Sequence, residues 1–346
     1  MNVGAAGESL VSQATVSAAP RVAVLIIAWN RVDELVTCLE SFPCVDYSNY
    51  EVIVIDNGSE DATVPVVRER FPWVTLIANE KNRGYVGGSN QGFRHALEHA
   101  ADYVFVLNQD TKMTPSVLGE LVSVMQSDAK IAAAGAKNLL MENPTLTWGR
   151  YGIITWGPML VHTVGRFAPD HSEPSPKDVE WLIGNGLMLR CAALQQVGVF
   201  DEEFFHLNED VEWCTRARHK GFRVVYVDSA AILHKGSSSG DTRKAVVFMY
   251  GYFIGRNAIM FARRYAGPLQ WAKLLTLMGF GIVFRLAWAL GGSLYLGVQG
   301  QLPFLIGIAD GFTRRLRRDR ITIRNPGPRR NSRDIPLDRF LRWIGA

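Results

Sequence analysis

Apolar positions along this chain follow two rhythms. In the first hundred residues, continuous apolar runs alternate with stretches where apolar residues recur every three or four positions. Residues 21–28, RVAVLIIA, form a run of the kind expected for a strand covered on both faces. Leu35, Val36, Leu39 and Phe42 then fall at helical spacing. Residues 51–55, EVIVI, predict a second strand, 63–71 a short helix, and 74–78 a third strand. After a glycine-rich turn, 91–100 read as a helix and 103–107, YVFVL, as a fourth strand. Strands alternating with helices imply a parallel sheet with right-handed crossovers. The first half is therefore an open α/β sheet of the nucleotide-binding kind.

The later rhythm differs. Residues 148–164, rich in Gly, Trp and β-branched side chains, predict hairpin strands, and 170–177, DHSEPSPK, have the composition of a loop. Residues 180–190, EWLIGNGLMLR, read as a strand whose glycines mark a close approach to the backbone. Residues 211–220 predict a helix closed by Gly221, with short strands at 224–227 and 230–234. Beyond Thr242 the periodicity is helical to the end. Residues 274–298 carry one charge, Arg285, between two apolar runs, and a segment of that length can span roughly 30 Å of hydrocarbon. An arginine at mid-span costs about 2.5–3.5 kcal/mol on the insertion scale, and the glycines weaken the helix. Helices lying in a membrane interface are the favoured reading, ahead of a true span or plain core.

Composition sharpens this picture. With 48% hydrophobic and 20% charged residues in 346, the chain is a folded globular protein of one large or two ordinary domains. Its net charge of +4 is uneven: eleven arginines against three aspartates give residues 311–346 a net +8, leaving the remainder at −4. Such a tail suits an anionic surface, lipid or nucleic acid. The acidic body lacks the basic face of a nucleic-acid binder. Cys38, Cys44, Cys191 and Cys214 form no CxxC pair and have no histidine at zinc spacing, which points to a reducing compartment. Residues 1–20 lack the basic start and apolar core of a signal peptide and read as a disordered leader.

Candidate chemistry gathers where the first strands end. Strand two runs into IDNGSEDAT, placing Asp56 to accept hydrogen bonds from a base or ribose, although a capped turn explains it equally. NEKNRGYVGGSNQGF puts Gly84, Gly87 and Gly88 before a helix, where backbone amides bind phosphate. Strand four ends in Asn108-Gln109-Asp110, which reads either as a turn or as oxygen-bearing side chains suited to a hard divalent cation. Further on, Glu209 and Asp210 open a helix, which by itself is capping chemistry.

Taken together, the spacing AWNR … IDNGSED … NRGYVGGSNQGF … LNQD resembles the donor half of an inverting family 2 glycosyltransferase. It is most similar to the rhamnosyltransferase-like members that build bacterial cell-surface polysaccharide, and the likeness runs from about Val22 to Asn257. The resemblance implies an α/β fold of GT-A type with a mainly parallel central sheet, to which the later periodicity adds a C-terminal helical membrane-associating segment. It divides the chain into a leader (1–20), a catalytic domain (21–240, with donor half 21–115 and acceptor half 116–240), membrane-associating helices (241–312) and a basic tail (313–346). By the same resemblance, Ala28, Asn30, Asp56, Asn57, Asn82, Gly84, Gly88, Asn90, Asn108 and Gln109 hold the donor nucleotide, with Asp56 at the base. Asp110 binds a divalent metal, Mg²⁺ or Mn²⁺, together with the donor diphosphate. Asn108 departs from the family's first aspartate and brings no charge, as in rhamnosyltransferase-like relatives. Asp210 is implied as the base and Glu209 as an orienting partner, while Trp181, Gly184 and Asn185 lie on the acceptor side. A lone histidine is usually structural; the resemblance instead brings His234 to the metal and diphosphate. Lys235, Ser237 and Ser238 are candidate phosphate contacts. Arg256-Asn257 occurs in similar proteins, and the sequence gives it no physical role.

The implied function is transfer of one sugar from a dTDP- or UDP-linked donor to a lipid-linked or polymeric saccharide at the cytoplasmic face of the membrane. dTDP-rhamnose leads, with UDP-hexoses including galactofuranose as competitors, and nucleic acid is not expected as a partner. A nicotinamide oxidoreductase is the rival enzyme, but Ala28-Trp29-Asn30-Arg31 holds no glycine where G-x-G-x-x-G is needed. A sugar nucleotidyltransferase would also want glycines at that turn. A membrane-tethered saccharide- or nucleotide-binding protein is the non-catalytic alternative.

Overall fold

The computed structural model describes residues 19–157, 160–236, 243–290 and 294–314. Its first half follows the apolar runs. Strand β1 (Val22–Ala28) is buried throughout and pairs in parallel with β2 (Tyr50–Asp56) and β4 (Tyr103–Asn108). Strand β3 (Thr75–Ala78) extends the sheet beyond β2. Helices α1 (Val32–Leu39), α2 (Thr63–Arg70) and α3 (Gly84–Glu98) make the crossovers. Successive β1 side chains point to opposite faces. Leu25 and Ile27 thus join one core with Phe93 and Trp213, while Val24 and Ile26 join another with Leu39 and Phe105. The chain winds outward to β3 and then lays β4 on the far side of β1. The carboxyl ends of β1 and β4 therefore border a topological switch point, where open α/β sheets bind ligands.

The structure corrects the expected start of α3. The helix begins at Gly84, so the glycines form its first turns rather than a turn before it. Close packing explains Gly84, Gly88 and Gly92: a Cβ there would sit 2.7 Å from Phe205, 3.2 Å from Ile27 of β1 and 2.1 Å from Leu25 of β1. Glycines low in helix propensity are tolerated because the helix must lie nearly against the strand.

Residues 111–140, where the apolar pattern gave no prediction, hold β5 (Thr111–Lys112), α4 (Val117–Ser127) and β6 (Ile131–Leu140). The alanines and glycine of β6 hide it as a strand. Strands β7 (Leu146–Gly149), β8 (Gly152–Ile154), β9 (Val161–Thr163), β10 (Ala168–Pro169) and β11 (Lys177–Asp178) follow, with β8 and β9 forming a hairpin as expected. In the segment 180–190 only β12 (Leu187–Arg190) is a strand, inserted antiparallel between β4 and β6. Helix α5 (Cys191–Val197) leads to α6 (Glu209–His219), which opens two residues before its expected start. The two short strands predicted around 224–234 are one strand, β13 (Arg223–His234), which runs parallel to β6 with a register shift between Val227 and Ala231. That shift and β5 bring His234 beside the tip of β4.

Three helices, α7 (Arg243–Tyr265), α8 (Pro268–Leu290) and α9 (Leu294–Thr313), follow as the periodicity implied. Helix α8 buries Leu274 and Met278 yet exposes Leu269, Leu275, Leu277, Phe280 and Val283. Among the described residues no helix is long and apolar enough to cross a membrane, so the spanning reading of 274–298 gains no support. The leader, apart from residues 19 and 20, and the tail beyond Arg314 lie outside the described residues, as do Ser237 and Ser238.

Candidate active site

The strand ends build one side of the site. Asp56 is buried at the end of β2, and its Oδ2 accepts the Ser59 N–H at 3.2 Å. Its Oδ1 is buried without a partner. A buried carboxylate oxygen left unpaired is costly, and a donor group entering at the strand end would relieve it. Asn30 braces that turn, donating its N–H to Ser59 Oγ (2.7 Å) and accepting the Glu60 N–H at Oδ1 (2.9 Å). Ala28 accepts the Asn57 N–H through its carbonyl. Asn57 ties this turn to α3: Nδ2 donates to Asn82 Oδ1 (3.1 Å) and Gly84 O (3.0 Å), while Oδ1 accepts the Arg83 N–H (2.9 Å). Gly88 and Asn90 face inward, Gly88 against Ile27 and Asn90 donating to Phe200 O at 2.8 Å. They seat the helix.

The tip of β4 is held from two sides. Gln109 Oε1 accepts the Trp29 N–H at 3.0 Å, tying β4 to β1. The Asn108 N–H donates to Asn185 Oδ1 at 2.9 Å, and Thr111 Oγ1 donates to the same oxygen. Asn185 is buried and exchanges further hydrogen bonds with Asn138, so its amide shapes the site from within. Asp110 Oδ1 lies 3.2 Å from His234 Nε2. Burial pushes the Asp110 carboxyl up, but the hydrogen bond and charge of His234, with Arg31, outweigh it and hold the group below its usual range. His234 packs on Trp148 at 4.9 Å between centroids, and its Nδ1 is buried without a partner. Lys235 pairs with Glu34 at 3.2 Å, as does Arg31 at 2.7 Å.

The other side is acidic and dry. Glu209 is buried at the first turn of α6, with Oε2 lacking a partner. Burial first, and then the neighbouring Asp210, push its carboxyl well above the ordinary value. Burial also raises Asp210, partly offset by backbone N–H groups. Those donors are Val211 N to Oδ1 (2.8 Å) and Gly184 N to Oδ2 (2.9 Å). A side chain on Gly184 would crowd this carboxylate, since a Cβ there lies 3.3 Å from Oδ2. Trp181 is buried against Gly152, and its Nε1 has no partner.

Two features bring the sides together. Gly184 holds Asp210 while the next residue, Asn185, holds Asn108, so one dipeptide sets the spacing of both carboxylate centres. Tyr85, on the first turn of α3, stands between them. Its hydroxyl donates to Asn108 Oδ1 at 3.4 Å and is pushed far up by burial, then by Glu209, Asp210 and Asp110. Tyr85 was not singled out in the sequence, although it sits inside the glycine motif. An aromatic at a helix start facing strand ends is the signal that would have found it.

Among the described residues no three His, Cys, Asp or Glu side chains form a ready-made metal centre. A divalent cation at Asp110 would take a carboxylate oxygen, with the imidazole of His234 beside it, and leave other positions for diphosphate oxygens and water. Hard cations with near-octahedral oxygen coordination, Mg²⁺ or Mn²⁺, suit that donor set.

Comparison with known proteins identifies the family and the fold. Residues 20–247 match the family described as glycosyltransferase like family 2. The N-acetylglucosaminyl-diphospho-decaprenol L-rhamnosyltransferase of Mycobacterium tuberculosis is 30% identical over 241 residues, covering 63% of this chain and 77% of its own. A low-salt glycan biosynthesis hexosyltransferase of Haloferax volcanii is 27% identical, over 50% of this chain and 55% of its own length. Among solved structures, a mannosyltransferase of Pyrobaculum calidifontis in complex with GDP-Man and Mn²⁺ superposes with a TM-score of 0.55. It covers 85% of this chain and 87% of its own at 16% identity, a likeness of fold alone.

Proposed function

This chain belongs to glycosyltransferase family 2 and is a glycosyltransferase, and from that premise we propose that it moves a hexose, rhamnose first among candidates, from a dTDP- or UDP-linked donor to a saccharide hydroxyl in cell-surface glycan synthesis. The rhamnosyltransferase at 30% identity supports that choice of sugar and a lipid-linked or polymeric acceptor. The observation that supports the reading is the Gly184-Asn185 dipeptide, whose adjacent residues hydrogen-bond to Asp210 and to the tip of β4.

Asp56, with its unpaired oxygen, receives the nucleotide. Asp210 takes the proton of the acceptor hydroxyl as that oxygen attacks the anomeric carbon from the face opposite the leaving diphosphate, which inverts the centre. Its raised pKa makes it a stronger base than an exposed aspartate while leaving it largely ionised near neutrality. Glu209 keeps its proton to higher pH and spares the pocket a second buried charge. A cation held by Asp110 beside His234 would offset the charge of the departing diphosphate. The exposed apolar face of α8 and the arginine-rich tail would rest on the cytoplasmic face of a membrane, presenting the site to a lipid-linked acceptor.

The test is Asp210→Asn, assayed with a panel of sugar nucleotides by released UDP or TDP. Transfer is expected to fall about 10²–10⁴-fold, with donor binding intact by calorimetry. Turnover near wild type would remove Asp210 from the base role.

A further inference from the structure

Arg256 and Asn257, to which the sequence gave no role, are buried on α7. Asn257 Nδ2 lies 3.2 Å from Phe204 O, 2.8 Å from His206 O and 2.7 Å from Leu207 O. Arg256 Nη1 donates to Asn257 Oδ1 (2.9 Å) and to Glu203 O (2.7 Å). Two adjacent side chains thereby gather four carbonyls of the loop 203–207.

That loop is strained. Phe205, Leu207 and Asn208 have φ of 61°, 68° and 64°. A non-glycine residue in this region costs on the order of 1–3 kcal/mol and persists only where its surroundings over-determine it. The next two residues are Glu209 and Asp210. The loop also has room to move, because a cavity of about 320 Å³, lined by Asn82, Arg83, Gly87, Arg94, Glu202 and Phe205, opens beside it.

We infer that Asn257 is a positioning residue: its amide holds the carbonyls of Phe204, His206 and Leu207, keeps Phe205, Leu207 and Asn208 at positive φ, and so delivers the Asp210 carboxylate to the Gly184 N–H. This rests on Asp210 as the acceptor base, and it assigns α7 a part in catalysis that contact with substrate does not require.

Asn257→Asp tests it at constant size, setting an oxygen against three carbonyl oxygens. The kcat is expected to fall about 10²-fold, the cost of displacing a reacting group by roughly 1 Å, while KM for the sugar nucleotide stays within about twofold. Adding Asn208→Gly, which adopts positive φ freely and still caps a helix, should restore roughly tenfold of kcat. A purely structural role for Asn257 would lower Tm without this split or rescue. Unchanged kcat, or a loss that glycine does not relieve, overturns the inference. Asp210→Asn run alongside separates the two readings: its activity would sink the base assignment, whereas an inactive Asp210→Asn with a normal Asn257→Asp sinks only the positioning role. If Asn257→Asp does not fold, Asn257→Ser, which keeps a donor of shorter reach, replaces it in the same series. Failure of both to fold assigns the amide to the fold as a whole and likewise overturns the inference.

Discussion

Two corners of the candidate site carry the same functional group in opposite electrical settings. At the tip of β4, Asp110 has His234 at 3.2 Å and Arg31 nearby, and it stays ionised. At the start of α6, Glu209 and Asp210 have no ion-pair partner among the described residues, and burial drives both toward protonation. A helix N-terminus favours an anion by only about 0.3–1 kcal/mol, up to roughly 2 when partly buried. That is too little to ionise two adjacent buried acids at once. Whether a carboxylate serves as a fixed charge or as a proton carrier is therefore decided by the side chains facing it. On the mechanism proposed above, the fixed charge would serve the donor side and the proton carrier the acceptor side, the division that inverting sugar transfer needs.

Neutralising each corner separately breaks or upholds that contrast. Asp210→Asn is expected to have the largest effect, on kcat alone. Asp110→Asn should follow, with about 10²–10³ lost from kcat, as for removal of one group that stabilises developing charge. It should also weaken donor binding and abolish any gain in donor affinity from Mn²⁺, read by titration calorimetry with and without the ion. Donor affinity unmoved at Asp110 would mean that the two corners have been assigned the wrong way round.

pH sharpens the contrast further. The Glu209–Asp210 pair is expected to lose its protons in two steps, both above the ordinary carboxylate range. Activity is expected to rise through an acid limb above the ordinary aspartate range and to fall again as Glu209 ionises. Glu209→Gln should keep the acid limb and lose the alkaline one. Stability follows the same logic. A carboxyl whose folded-state pKa exceeds its unfolded value binds its proton more tightly when folded, so its contribution is complete below the unfolded value and lost as pH rises through the folded one. Wild-type Tm should therefore drop between about pH 5 and pH 8 more steeply than that of Glu209→Gln. Equal slopes would show that Glu209 ionises freely in the folded protein.

The two corners were unequally legible in the sequence. The donor half could be read directly, because β1, β2 and β4 are buried on both faces and announce themselves as unbroken apolar runs. The glycines of α3 misplaced its start, since Gly84 packs against Phe205 and Gly88 against Ile27, both far away in sequence. Alanine-rich β6 and the shifted register of β13 were equally hidden. Asp110 and His234 are far apart in sequence, and only a family resemblance brought them together before the sheet did. Asn185 was read as an acceptor contact, yet its hydrogen bonds to Asn108, Thr111 and Asn138 arise from strand pairing that no local pattern shows. Asn257 carries its partners on a loop some fifty residues earlier. Local rhythm finds elements; contacts between distant elements build the site.

The smallest expected effect separates the corners by where their substrates come from. A nucleotide sugar arrives from water, whereas a lipid-linked acceptor arrives from a membrane, so only the acceptor side should depend on the apolar face of α8. Phe280 and Val283 are 69% and 64% exposed there. Burying two such side chains in lipid contributes about 3–6 kcal/mol, while arginines in the tail add about 1 kcal/mol each near an anionic surface. Phe280→Asp combined with Val283→Asp should therefore weaken sedimentation with phosphatidylglycerol vesicles at low salt and abolish it at high salt, where the arginine contribution is screened. KM for a lipid-linked acceptor should rise, and KM for the sugar nucleotide and kcat with a soluble saccharide should not change. Vesicle binding unaltered at high salt would show that α8 does not face lipid. An equal rise in both KM values would show that the two corners are not fed from different phases.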